Sequence, residues 1–484
     1  MNGACRVIFW QRLGGLTASF DFGSGRVMKT VSVISLLAAS ASLVFFINGA
    51  QAQSLQSALS QAYTSNPTLN AQRAGARAFD ENVPQALGGY RPTINGQANV
   101  TAEADTTRVA KFGVGNDTLF PRGVGVTINQ PLFDGFRTAN SVRSAEAGVL
   151  SQRETLRDVE QQTLLAAVTA YMNVLRDAAL LNLQKNNVEV LQEQLKQTKD
   201  RFNVGEVTRT DVEQANASLA GAQSQEIQAG AQLKSSTAVY RQIIGSQPKR
   251  LEPAKPLKIL PKSQNTAISA GLANHPSITS ALHAVDSAAM QVKVAEGALY
   301  PSLSAQGALS QNYDVTGATR IQSSASIGAF LTVPIYEGGV DYSKIRQAKE
   351  TLGQARINAD ILRDQVRASV VSAWGNLDAA RSEIVANQAA VAAAGVALAG
   401  VREEAKVGQR TTFDVLQQQQ VLLNARATLI ISQRDQVVAS YTLLQAVGKL
   451  NASALGLKVA KYDPAVHYDQ VRDKWIGTDI PDGR

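Results

Sequence analysis

The chain contains 484 residues, of which 44% are hydrophobic, 18% are charged and only 6% are aromatic. The charged fraction lies below the roughly 25% of a typical soluble domain, and the low aromatic content favours long helices rich in alanine and glutamine over a core of large rings. The formal net charge is +8, but the basic residues are scattered without the clusters that bind phosphates, which argues against a nucleic-acid partner.

Cysteine and histidine are too rare to suggest metal or disulfide chemistry. The one cysteine, Cys5, falls in a segment expected to be removed, so disulfides, zinc clusters and a cysteine nucleophile are excluded from the mature chain. His275, His283 and His467 do not have the i, i+4 spacing of a helical metal pair. No metal site and no cofactor are therefore predicted.

Residues 1–52 are predicted to be an upstream segment followed by a secretion signal. An uncharged stretch runs from Thr30 to Phe46 after Lys29, and Ala50-Gln51-Ala52 has the small-x-small pattern of a signal-peptidase site. We predict a start at Met28 and cleavage after Ala52. The alternative is an anchor that stays attached, but the apolar run is short for a membrane span. No other segment approaches 18 continuous apolar residues, so a membrane-spanning part would have to consist of strands.

The remaining sequence contains one unit twice. LSQAYTSNPTL at 59–69 corresponds to ISAGLANHPSI at 268–278, and PLFDG at 131–135 corresponds to PIYEG at 334–338. A period near 200 residues is typical of a duplicated domain. We predict a first repeat, a linker, a second repeat and a C-terminal tail, which respectively span 53–248, 249–266, 267–450 and 451–484. The tail is expected either to wrap the helices or to be disordered.

Each repeat reads as a helical stretch, two strands, a long helix and a shorter returning helix. The first opening helix is expected over about 55–88, with Pro84 kinking or ending it. Alternating apolar and polar residues predict the strands, and apolar residues stepping by four and three, as at Leu164, Val168 and Tyr171, predict coiled-coil seams on the long helices. The predicted strands are about 92–105, 122–133, 301–312 and 322–336, and the predicted helices are 137–202, 209–245, 340–405 and 412–447.

The strand lengths match those of tilted transmembrane strands, which need about 9–11 residues. Four strands cannot close a barrel, and open strand edges do not occur in lipid. Either the strands lie outside a membrane or several chains share a barrel, which would have eight strands from two chains or twelve from three.

Four motifs resemble those of the TolC-type outer-membrane efflux and secretion channels. They are QPLFDGF at 130–136, VPIYEGG at 333–339, VGEVTRTDV at 204–212 and VGQRTTFDV at 407–415, and they recur in the same order in both halves. The resemblance implies a mainly α fold with a β-barrel portion: a homotrimer with a 12-stranded outer-membrane barrel on a long periplasmic α-helical coiled-coil barrel. It also implies the exit duct of a Gram-negative tripartite system for multidrug efflux or type I secretion. The expected partners are outer-membrane lipid, a periplasmic adaptor (membrane fusion) protein and an inner-membrane pump of RND or ABC type.

By the same resemblance, the periplasmic tip carries the gate. Arg410 matches a latch arginine, and Thr210 and Asp211 match its partners on the neighbouring hairpin. Asp414 matches an inward-facing carboxylate at the narrowest point of the tunnel, where three copies would repel one another and attract cations. Gln417 stands where the family often has a second acidic residue, which predicts weaker block by cations.

Two further sets of residues have expected structural roles. By resemblance, the turns at the tip form the adaptor-docking site, with Val204 and Gly205 in one turn and Val407 and Gly408 in the other. Gly135, Gly338 and Gly339 follow the second strand of each repeat, where a glycine permits a sharp bend into the long helix.

Two other classes of protein were weighed against a channel. A trimeric adhesin or periplasmic spacer would explain the coiled-coil pattern but not the duplicated strand pairs or the paired tip turns. An envelope hydrolase would need a nucleophile with its base or a metal cluster, and the sequence has neither GxSxG nor HExxH. We therefore expect a channel rather than an enzyme.

Overall fold

The computed structural model of the chain describes residues 53–109, 113–257, 259–316 and 319–481. The predicted signal peptide lies outside these residues. The described helices are α1 (Leu55–Ser65), α2 (Pro67–Asp80), α3 (Asn82–Leu87), α4 (Arg137–Asn203), α5 (Arg209–Ile244), α6 (Gln264–Asn274), α7 (Pro276–Gly297), α8 (Val340–Lys406), α9 (Thr412–Ala446) and α10 (Pro464–Val471). The described strands are β1 (Thr93–Val100), β2 (Glu103–Val109), β3 (Gly113–Leu119), β4 (Arg122–Phe133), β5 (Ser302–Tyr313) and β6 (Ile321–Thr332).

Two helical hairpins, α4–α5 and α8–α9, dominate the molecule. The helices α4 and α8 each contain 67 residues, and at 1.5 Å per residue each is about 100 Å long. The spacing that predicted seams is reflected in burial, because Leu164, Val168 and Tyr171 on α4 are completely buried. They belong to a core in which α4 packs against α1, α2, α5 and α9. The shorter α6 and α7 pack in the corresponding way against α8.

The opening helical stretch is not the continuous helix expected over 55–88. Asn66 ends α1 and caps α2, where its Oδ1 accepts from the backbone N–H of Thr68 at 2.9 Å and Pro67 is the first helical residue. A second break falls at Glu81. Pro84 explains it, because a proline has no N–H to bond to the carbonyl four residues earlier, that of Asp80.

The central sheet combines strands from both repeats. Its order is β1-β4-β5-β6, all antiparallel, so the repeats join through β4 and β5. The expected strand at 92–105 differs from the structure: β1 ends at Val100, and β2 and β3 form a separate two-stranded sheet. The expected strand at 322–336 also ends early, at Thr332, since Pro334 cannot donate a ladder hydrogen bond.

The two faces of the four-stranded sheet differ in polarity. The register brings alternate residues of all four strands to one side. The apolar face carries the exposed side chains of Ile94, Val126, Ile128, Leu309, Ile327 and Leu331. The opposite face carries Asn95, Gln97, Thr127, Gln306, Ser310 and Ser324. In the described chain this sheet has no helix covering its apolar face, which leaves that face open.

The described long helices also contain apolar windows. Both α4 and α8 include an 18-residue stretch that is long and apolar enough to cross a membrane by length and composition alone. In α4, 44% of that window is buried inside the chain, whereas in α8 only 11% is buried. One or two such helices are weak evidence for a membrane span, because the core helix of a soluble protein passes the same test, so the expectation of spanning strands stays a prediction. The α8 window is an exposed, alanine-rich surface.

The C-terminal tail packs on the helical part through α10 and α2. His467 Nδ1 lies 2.9 Å from Asp80 Oδ2, and both side chains are only 3% exposed. The Arg153 guanidinium lies 5.1 Å from the centre of the Tyr468 ring. Burial raises the pKa of Asp80, while the hydrogen bond with His467 and the charge of Arg153 act in the opposite direction. The described part of the tail, residues 451–481, therefore packs against the helices, which is the nearer of the two arrangements that the sequence left open.

Candidate gate at the helical tip

Both helical hairpins turn through the same backbone motif. Gly205 (φ 81°) and Gly408 (φ 77°) adopt the left-handed conformation just after α4 and α8. After α4, the N–H of Glu206 donates to the carbonyl of Arg201 at 2.9 Å and that of Gly205 to Phe202 at 3.0 Å. These two bonds define a Schellman motif, which satisfies the last carbonyls of the helix. The same pair of bonds follows α8, and in both turns the preceding valine, Val204 or Val407, is exposed.

Each returning helix begins with a capping box. Asp414 Oδ2 accepts from both the backbone N–H and the hydroxyl of Thr411 at 2.9 Å, while the Asp414 N–H donates to the Thr411 hydroxyl at 3.2 Å. Thr208 and Asp211 repeat this arrangement on α5. The hydrogen bonds stabilise the ionised carboxylates at a helix N-terminus.

These caps set the charge state of both aspartates within one chain. The backbone N–H and the hydroxyl of Thr411 lower the pKa of Asp414, and the hydroxyl and backbone N–H of Thr208 lower that of Asp211. Repulsion among three copies of Asp414 around the tunnel would raise its pKa and so act against this local effect. One oxygen of Asp414 is already engaged by its own turn, and the other makes no hydrogen bond within the described chain.

An ion pair spans each turn, with opposite polarity in the two hairpins. Arg201 on α4 lies 2.9 Å from Glu206 in the first turn. In the second turn the helix supplies the acid, and Arg410 lies 2.9 Å from Glu404. All four side chains are well exposed, so solvent screens both pairs and each contributes little to stability.

The described chain does not join the predicted latch residues to one another. Within the described chain, no hydrogen bond joins Arg410 to Thr210 or Asp211, and Thr210 is exposed. Gln417 is likewise exposed, one turn after Asp414. The latch therefore remains a prediction about contacts between copies.

Sequence reasoning missed the residues that hold these side chains in place. Thr208, Thr411 and Glu404 are the direct partners of Asp211, Asp414 and Arg410. The T-x-x-D spacing in both tip motifs carried the signal for the caps, because it is the spacing of a capping box.

A groove lies beside the two turns. It has a volume of about 1220 Å³ and runs between the distal ends of α4 and α8, with Thr412 and Val415 of α9 also lining it. Its charged side chains are Glu189, Glu193, Arg201, Glu206, Arg402, Glu403 and Lys406. The mixture of charges around an apolar floor suits a protein helix better than a metal, and no described cluster of His, Cys, Asp or Glu is placed to hold an ion.

The bends at the other end of the long helices use left-handed residues. Gly135 (φ 70°), Gly338 (φ 64°) and Gly339 (φ 80°) lie between a strand and a long helix. A Cβ on Gly135 would collide with the carbonyl oxygen of Gly297, whereas Gly338 faces open space. The first repeat has Phe136 (φ 62°) where the second has Gly339, so a phenylalanine occupies a backbone conformation that costs about 1–2 kcal/mol.

Comparison with known proteins accounts for this combination of a two-faced sheet and paired long hairpins. The sequence model of the outer membrane efflux protein family matches residues 58–246 and 267–449, once in each repeat. The chain is 44% identical to the outer membrane efflux protein BepC of Brucella suis biovar 1 (strain 1330), covering 90% of this chain and 94% of that protein. It is 28% identical to the outer membrane protein TolC of Escherichia coli (strain K12), covering 86% of each.

The fold agrees with these sequence relationships. It is similar to the Campylobacter jejuni CmeC outer membrane channel, with a TM-score of 0.73 at 18% identity over 87% of this chain and 89% of that one. The chain therefore belongs to the outer membrane efflux protein family and is an exit duct of the Gram-negative outer membrane.

Proposed function

We propose that three copies of this chain form one duct, with a 12-stranded barrel in the outer membrane and a tunnel of long helices in the periplasm. The observation that carries this proposal is the two-faced sheet, in which β1 and β6 are end strands with one neighbour each. An open edge does not persist in lipid, so β1 of one copy would pair with β6 of the next. Twelve strands are favoured over eight, because an eight-stranded barrel is filled by its own side chains.

The exposed helical surface supports the same assembly. The apolar window of α8 is only 11% buried within the chain, and Val385 and Val396 on this helix are exposed. In a trimer, a neighbouring copy would cover much of this surface, whereas a monomer would leave a large apolar patch in water.

The tip is proposed to be the gate of the duct. Asp414 would line the constriction, with its second carboxylate oxygen directed at passing cations. Arg410 would exchange Glu404 for Thr210 and Asp211 of a neighbouring copy when the duct closes. Because Arg410 and Thr210 are exposed, the latch would be weak enough for a bound partner to open.

The groove between α4 and α8 is proposed to receive a helix of a periplasmic adaptor, with the tip turns as its lower boundary. The adaptor would link the duct to an inner-membrane pump of RND or ABC type. The similarity to BepC, an efflux protein by name, favours efflux of small molecules as the transport task. Type I secretion of proteins is the second candidate, supported by the resemblance of the tip motifs to channels of both kinds.

The first test is single-channel recording from the mature protein in a planar bilayer. Asp414→Asn should increase conductance and reduce block by divalent cations. Thr411→Ala is the matched control, because it disrupts the same capping box while keeping the Asp414 charge. Equal changes in both variants would mean that the helix cap, and not the carboxylate, sets conductance. A silent bilayer despite an inserted trimer would refute the channel and favour a spacer.

The latch has its own pair of variants. Arg410→Gln should raise the conductance of the closed duct, whereas Glu404→Gln removes only the ion pair within one chain and should leave the duct closed. If both variants open the duct equally, the contact within the chain holds the tip, and the latch between copies is wrong.

A further inference from the structure

The segment after α10 folds into a closed loop, here named the C-terminal loop and comprising residues 472–481. Lys474 Nζ donates to the carbonyl of Asp479 at 2.8 Å, which closes the loop. Gly477 lies at its centre with φ 109°, a value that favours glycine and lets the chain fold back. The loop is therefore held by its own contacts.

A second set of contacts fixes the loop at the end of the sheet where β1 begins, here named the base of the sheet. Arg91 Nη1 donates to the carbonyl of Lys474 at 2.9 Å, and its guanidinium lies 4.7 Å from the centre of the Trp475 ring. Arg91 precedes the first residue of β1 by two positions. At the other end, α10 is fixed to α2 through the buried Asp80 and His467 pair. The loop consequently lies at the level where the strands begin.

The loop carries three strongly exposed apolar side chains in this fixed position. Trp475 is 66% exposed, Ile476 is 87% exposed and Ile480 is 86% exposed. Among the large hydrophobic residues of the described chain, only Ile327 and Ile335 are more exposed than Ile476 and Ile480. Ile327 lies on the apolar face of the sheet, and Ile335 follows β6 at the same end of the sheet as Arg91.

We propose that the C-terminal loop inserts into the periplasmic leaflet of the outer membrane and anchors the base of the barrel to lipid. Tryptophan is enriched at membrane interfaces, and a neighbouring arginine can direct its charge toward the headgroups while its stem lies along apolar surface. Arg472, Lys474 and Asp479 surround the three apolar residues, which is the mixed pattern of an interfacial segment. The inference rests on the proposed location of the sheet in the membrane.

Lipid is favoured over a second copy of this chain by continuity with the sheet. The four most exposed large apolar side chains of the described chain belong either to the sheet and its base, as Ile327 and Ile335 do, or to this loop, as Ile476 and Ile480 do. In the proposed barrel the apolar sheet face contacts acyl chains. A loop at the same level as the sheet would also contact lipid. Ordinary soluble surfaces do not hold three such side chains together in water without a partner.

The test uses tryptophan fluorescence in the full mature chain. Of the three tryptophans, Trp10 lies in the predicted leader, so Trp374→Phe leaves Trp475 as the only one in the mature protein. This variant is reconstituted into vesicles of phosphatidylethanolamine and phosphatidylglycerol that contain a lipid brominated near the headgroup end of its acyl chain. Trp475 emission should fall as the brominated fraction increases, and it should be protected from a water-soluble quencher.

Two reporters separate this inference from the proposed function. In a background with Trp374→Phe and Trp475→Phe, Ile327→Trp reports on the sheet and Ile227→Trp on the exposed surface of α5. Quenching of the first reporter and not of the second would place the sheet in the membrane independently of the loop.

Quenching of Trp475 and of the Ile327→Trp reporter together decides whether the loop is a lipid anchor. Quenching of both Trp475 and the Ile327→Trp reporter supports the anchor. If the sheet reporter is quenched and Trp475 is not, the anchor is wrong. In that case, protection of Trp475 from the aqueous quencher would assign the loop to contact with a second copy. If the sheet reporter itself is not quenched, the membrane location of the sheet fails first.

Discussion

Docking of the C-terminal tail should depend on one buried pair, and His467→Ala tests that dependence. The substitution leaves the Asp80 carboxyl in a site where it is 3% exposed and without its hydrogen-bond partner. An unsatisfied buried polar group costs about 1–3 kcal/mol, and an isolated buried charge costs more. The nearby Arg153 compensates part of the charge, so we expect the cost of an unsatisfied polar group, about 1–3 kcal/mol, rather than that of an isolated charge. That range corresponds to a roughly 5–150-fold increase in the undocked population.

Limited proteolysis measures this population, because cleavage in a locally opened segment follows the equilibrium when opening and closing are fast. The assay would follow cuts after Lys461 and Arg472, which flank α10, by the mass of the remaining chain. His283→Ala is the matched control, since His283 is partly exposed and its Nδ1 lies 3.8 Å from Asp286. Asp80→Asn keeps a polar partner for His467 and should have a smaller effect than His467→Ala.

The contribution of Asp80 to docking of the C-terminal tail should decrease as the pH rises. Burial raises the pKa of Asp80, so its contribution to docking is full below the unfolded pKa of about 3.9 and is lost as the pH rises through the raised value. Without the opposing hydrogen bond from His467, that pKa should rise further. The defect of His467→Ala should therefore be larger at about pH 8 than at about pH 5. A cleavage rate equal to that of His283→Ala at both pH values would refute the reasoning.

Three other predictions concern the bends and the caps. Gly135→Ala should lower the midpoint of thermal unfolding more than Gly338→Ala, since both glycines have positive φ but only Gly135 faces the Gly297 carbonyl; equal shifts would mean that the collision relaxes freely. Phe136→Gly should unfold at a higher temperature than Phe136→Ala, because alanine keeps a backbone strain of about 1 kcal/mol that glycine removes; the reverse order would contradict the assigned strain. Because the pKa values of Asp211 and Asp414 are lowered, the stabilisation by the two tip caps is fully present above about pH 4 and is lost as the pH falls through the lowered values. Amide hydrogen exchange in the first turns of α5 and α9, corrected for its intrinsic pH dependence, should therefore not change between about pH 8 and 5. It should accelerate only below that range.

Much of the architecture follows from local sequence patterns. The period of two in the strands, the steps of three and four in the long helices, and glycines at both kinds of bend are local signals, because each reflects the backbone geometry of a single element. The duplication near 200 residues and the tip motifs then indicated the family, since their order was the same in both halves. The positive φ values of Gly205 and Gly408 reflect the same local rule.

Contacts between distant elements required the tertiary structure. The pairing of β4 with β5 across the repeats, and the burial of Asp80 against His467 from the tail, join residues far apart in the chain, and no local periodicity encodes such a partner. At the tip, the sequence identified Asp414 and Arg410 by type, but folding decided that Thr411 and Glu404 engage them within one chain. The sequence by itself determined which elements form, because propensity and periodicity act over a few residues. The tertiary structure decided which side chains are satisfied and which stay available, because that depends on burial among elements that meet only in the folded chain.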